Sequence, residues 1–73
     1  MAIVRKLEEL KLEKNSPHTE VDGTYSIISA EDGNYLQIDT YGAKDRQEQG
    51  KKSQSIRFSP ESLDQLRDIL KRI

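Results

Sequence analysis

The chain reads as α+β: an antiparallel β-sheet with a hairpin at Asp32-Gly33 and a C-terminal amphipathic helix packed on one face. Three observations lead there. Two alternating runs in "TYSIISAEDGNYLQIDTY" flank Asp32-Gly33, a dipeptide suited to the positive φ values of a two-residue hairpin turn. A shorter run, Ser53 to Phe58, alternates in the same way and supplies a third strand. "SPESLDQLRDILKRI" then opens on a capping serine and continues with apolar residues at helical spacing.

From Ala2 to Lys14, Ile3, Val4, Leu7 and Leu10 recur at helical spacing and favour a short amphipathic helix. Leu10 and Leu12 also alternate with charges, so residues 1–14 form an N-terminal amphipathic segment that is either helix or strand. "NSPHTEVDG", residues 15–23, is a linker, because Pro17 disfavours helical geometry at Ser16 and Gly23 punctuates again. Residues 24–73 then form the sheet-plus-helix core of a single domain.

With Asp32 and Gly33 as the loop, Glu31 faces Asn34, Ser29 faces Leu36, Ile27 faces Ile38 and Tyr25 faces Thr40. Alternation gathers Tyr25, Ile27, Leu36 and Ile38 on a core face, joined by Ile56 and Phe58 of the third strand. The opposite face carries Ser26, Ile28, Ala30, Tyr35, Gln37, Asp39 and Tyr41, a polar and aromatic surface. In the helix, Ser59 caps, Pro60 fits the first position and Glu61 suits the positive helix start. Phe58 and Leu63 have the spacing of a hydrophobic staple, and Leu63, Leu66, Leu70 and Ile73, with Ile69 beside them, form an apolar stripe to cover the sheet.

Composition narrows the function. Only 33% of the 73 residues are hydrophobic against 34% charged, so one chain builds a thin core and a homodimer is the expectation. A net charge of −1 argues against coating nucleic acid or membrane through bulk charge, and any such binding must be local. The chain has no cysteine, which leaves no thiol nucleophile or zinc ribbon, and no apolar run long enough to span a membrane. The charged start does not read as a secretion signal, and the expected location is cytoplasmic.

The charge is nonetheless segregated. "GAKDRQEQGKKSQSIR" holds the five cations Lys44, Arg46, Lys51, Lys52 and Arg57 against Asp45 and Glu48. A basic strand-to-strand segment beside an aromatic polar face is the layout that single-stranded nucleic acid favours, with cations along the backbone and rings under the bases. Tyr35 and Tyr41, six apart in one strand, share that face with Gln37. The plainer reading makes the segment a solvated loop and the tyrosines cross-strand partners that stiffen the sheet. His18, the only histidine, lies in the linker with no second ligand at metal spacing, and neither metal nor cofactor is expected. No nucleophile, base and oxyanion donor assemble by name, so the chain reads as non-enzymatic.

The order of hairpin, basic loop, Gly50-Lys51-Lys52, strand, Ser59-Pro60-Glu61 and amphipathic helix resembles the positive-cofactor-four family of transcriptional coactivators and its bacterial or phage relatives. The likeness runs from about Tyr25 to Leu70. Leu36-Gln37-Ile38-Asp39 is similar to the family's Ile-Asp-Ile-like strand end, and Gly50 to Ile56 to its Gly-Arg-Lys-Gly-Ile-type strand. Gly42 stands where the family carries a tryptophan. The resemblance implies a homodimer whose curved sheets bind single-stranded DNA with little sequence preference, with Lys51, Lys52 and Tyr41 as contacts and the helix packing across the dimer. Lys44, Arg46, Arg57, Tyr35 and Gln37 join them from the charge and face pattern alone. The expected function is a single-stranded nucleic-acid-binding module, DNA rather than RNA, associated with transcription. The alternative is a small protein-binding adaptor or inhibitor that uses the polar sheet face or the sheet edge.

Overall fold

The computed structural model describes residues 1–42 and 52–73. Within them lie β1 (Ala2–Val4), β2 (Asp22–Ala30), β3 (Gly33–Tyr41), β4 (Gln54–Phe58) and α1 (Pro60–Leu70). The strands form one sheet in the order β1-β4-β3-β2. β2, β3 and β4 pair antiparallel as the alternation predicts, but β1 runs parallel to β4 with Ala2 opposite Ile56 and Val4 opposite Phe58, so the sheet is mixed.

The N-terminal helix expectation fails at this strand. Ile3 and Val4 are β-branched and pack readily on a pleated surface, and their backbone is committed to β4. Beyond them the Gln65 side chain accepts from the Leu7 amide at 2.8 Å and donates to the Leu7 carbonyl at 3.0 Å, matching groups that a helix would need for itself. Leu10 and Leu12 form no strand and are 79% and 73% exposed. The linker reading runs two residues too far, since Asp22 and Gly23 already belong to β2.

The hairpin is present with its turn one residue earlier than the dipeptide suggests. Glu31 and Asp32 form the turn, and Ala30 pairs with Gly33, Ile27 with Leu36 and Tyr25 with Ile38. Glu31 and Asp32 both keep negative φ, and Gly33 takes the positive value, +131°. The pairing therefore shifts by two residues. An even shift keeps every side chain on its face, so Tyr25, Ile27, Leu36, Ile38, Ile56 and Phe58 still share one side of the sheet.

The helix begins as read. Ser59 accepts from the Ser62 amide at 3.3 Å, Pro60 opens the first turn, and Glu61 stands near the positive end. A pair of fully buried serines ties this helix to β1: the Val4 carbonyl accepts from the Ser59 amide at 3.1 Å and from Ser62 Oγ at 2.8 Å. α1 packs against β3 and β4. Tyr25 is 73% and Ile27 67% exposed, contrary to their expected place in a core. Among the described residues the one buried hydrophobic side chain is Tyr35, on the opposite face.

Candidate nucleic-acid interface

The polar face is organised by the β3–β4 register. Gln37 lies opposite Arg57 and Asp39 opposite Ser55, which places an amide, a guanidinium, a carboxylate and a hydroxyl side by side. Arg57 donates from Nε, at 3.0 Å, and from Nη2 to Gln37 Oε1. The Gln37 amide nitrogen in turn donates to both Asp39 oxygens, at 3.1 and 3.2 Å. Lys52 Nζ closes the row on Asp39 Oδ2 at 3.2 Å. The result is a chain of polar contacts, Arg57 to Gln37 to Asp39 to Lys52, running across two strands.

Asp39 is its hub. The residue is 4% exposed, and burial alone would favour the neutral acid. The hydrogen bond from Ser55, followed by those from Gln37 and Lys52 and the Lys52 charge, outweighs that penalty and holds the carboxyl below its ordinary range. The acid is therefore ionised at neutral pH, and its charge is offset by Lys52.

Arg57 has a different partner. It is exposed and bonded to a neutral amide, and among the described residues no carboxylate pairs with it. Its side chain is aimed by the sheet while its charge is not neutralised.

The predicted contacts divide on this geometry. Gln37, Lys52 and Arg57 are brought together, with Lys52 engaged by Asp39 rather than standing alone. Tyr41 is half-buried at the end of β3, with its hydroxyl 3.1 Å from Thr24 Oγ1. Tyr35 does not offer a ring for stacking: it is 9% exposed, donates to Asp32 Oδ2 at 2.6 Å, and accepts from Arg5 Nη1 at 3.5 Å. Lys44, Arg46 and Lys51 lie outside the described residues. Asp39 and Ser55 were not among the expected contacts. The i, i+2 spacing of Gln37 and Asp39 shows that they share a face, but their partners across the sheet follow from a register set beyond a long connection.

Among the described residues no group of three or more potential ligands is placed to hold a metal ion, and no helix is long and apolar enough to cross a membrane. No family model matches the chain, and no curated protein or solved structure matches it.

Proposed function

We propose that the chain is a non-enzymatic, cytoplasmic module that binds single-stranded nucleic acid, DNA rather than RNA, with low sequence specificity, and that it acts as a homodimer in a transcription-associated role. The observation that carries this reading is the state of charge on the polar face. The buried carboxylate Asp39 is offset by Lys52, while the exposed Arg57 is oriented by Gln37 and keeps its charge. A phosphate backbone needs cations held in place but not already neutralised. Tyr41 flanks the same face, and the connection from β3 to β4 carries Lys44, Arg46 and Lys51. The resemblance to the positive-cofactor-four family points the same way.

A mobility shift with a single-stranded oligomer of ~20 nucleotides tests it, with binding expected at about 50 mM salt and abolished as salt rises, because phosphate contacts release counterions. No shift at low salt would remove the reading.

One observation favours the protein-docking alternative. β2 is an outer strand, nine residues long, without lysine or proline, and its outer side is paired with no other described strand. Such an edge accepts an added strand. Protein binding there, with no oligonucleotide shift, decides for that alternative.

A further inference from the structure

The face with Tyr25 and Ile27 lacks what a folded chain needs on its apolar side. Ile38 and Ile56 at its centre are only half-buried, and Ala2, Ile38 and Ile56 line an open hollow upon it. Tyr25 and Ile27 are mostly exposed, as are Leu70 and Ile73 at the end of the helix stripe. We infer that a second copy of the chain covers this face, so that the hydrophobic core is completed between two chains. The inference deepens the homodimer part of the reading above and rests on that part alone.

Three observations select a second copy. The first is charge. Every position that the register assigns to this face, from Ala2 and Val4 in β1 to Gly23, Tyr25, Ile27 and Ser29 in β2, is uncharged. In a chain that is 34% charged, an uncharged sheet face meets its own copy without like-charge repulsion.

Area is the second. Four strands spaced by about 4.8 Å and three to nine residues long at about 3.3 Å per residue give a face of roughly 400 Å² in projection. Side-chain relief and the exposed Leu70 and Ile73 add to that area, against the ~800 Å² per partner of a stable interface.

Energy is the third. With one buried hydrophobic side chain among the described residues, the isolated chain does not offset the entropy of ordering its backbone. The partner must then be present whenever the chain folds, and another copy of itself meets that condition.

The test uses strand β2, where neighbouring residues face opposite ways. In a monomer Ile27→Lys and Ser26→Lys are both surface changes, since both positions are exposed. If two copies meet on the Ile27 face, wild type and Ser26→Lys sediment at about twice 8.4 kDa. Ile27→Lys then sediments as a single chain or fails to fold. Because folding and pairing are coupled, the wild-type melting temperature should also rise with concentration between about 2 and about 200 µM. A folded wild-type chain at 8.4 kDa with a concentration-independent melting temperature overturns the inference, as does an Ile27→Lys variant that stays dimeric. No nucleic acid enters these measurements, so they fail or succeed separately from the oligonucleotide shift.

Discussion

Gly33 has a role at the residue scale that the turn motif only half describes. Its φ of +131° is one that side chains resist, and a β-carbon there would lie 2.9 Å from Cγ of Pro60 and 3.3 Å from its Cβ. Those ring atoms are not the far end of a flexible side chain, because the pyrrolidine is closed on its own backbone. Gly33→Ala should therefore lower stability by about 1 kcal/mol or more, seen in thermal melts as a fall of ~4–8 °C per kcal/mol. An unchanged melting temperature would show that the hairpin and the helix start do not constrain each other. Asp39 carries the second expectation. Its pKa is lowered in the fold by Ser55, Gln37 and Lys52, so the folded state binds fewer protons than the unfolded one near the carboxylate range. The stability it contributes is present above about pH 4 and disappears as pH falls through its lowered value. Wild type should be more stable than Asp39→Asn at pH 7, and the two should converge in acid. Parallel losses with falling pH would place the acid sensitivity elsewhere.

Between elements, the contacts that matter are short polar ones. Ser59 and Ser62 join helix to strand through a single carbonyl, that of Val4. Ser62→Ala removes one of its two donors and should cost about 0.5–1.5 kcal/mol. Ser59→Ala removes the cap and should cost about 0.5–2 kcal/mol. Because the two hydroxyls lie 3.3 Å apart, the double variant should depart from additivity in equilibrium unfolding. Gln65 does the same work one turn further on by holding both main-chain groups of Leu7. Gln65→Ala should speed hydrogen exchange at the Leu7 amide while leaving the β2–β3 amides protected. Equal acceleration throughout would mean that residues 5–9 unfold only with the whole sheet.

For the whole molecule, the proposed reading gives the two faces of the sheet separate tasks, an uncharged side for a second copy and a charged side for a phosphate backbone. Arg57→Ala should weaken single-strand binding and reduce the slope of log affinity against log salt by about 0.7 for each phosphate that the guanidinium neutralises in wild type. Tyr41→Ala should cost ~1–3 kcal/mol of affinity with the slope nearly unchanged, because stacking releases no counterion. Asp39→Asn should steepen the slope, since Lys52 would then face the ligand without its carboxylate. Wild-type slopes in both the Arg57 and the Asp39 variants, or wild-type affinity in Tyr41→Ala, would mean that these residues do not line the track.

Alternation and punctuation along the chain determined the strands β2, β3 and β4, the face of each side chain and the capped helix, because those depend on neighbours two to four residues away. Even the misplaced turn left the faces intact, since its error was an even number of residues. Tertiary structure alone decided the rest. β1 is a strand because β4 supplies its partner from more than fifty residues away, and local spacing in Ile3, Val4 and Leu7 carries no trace of that pairing. Tyr35 is buried where Arg5 of the N-terminal segment and Asp32 of the turn meet its hydroxyl, while Tyr25 on the other face stays exposed. The Arg57–Gln37–Asp39–Lys52 row depends on a register between strands joined by a long connection, where no short turn sets the pairing.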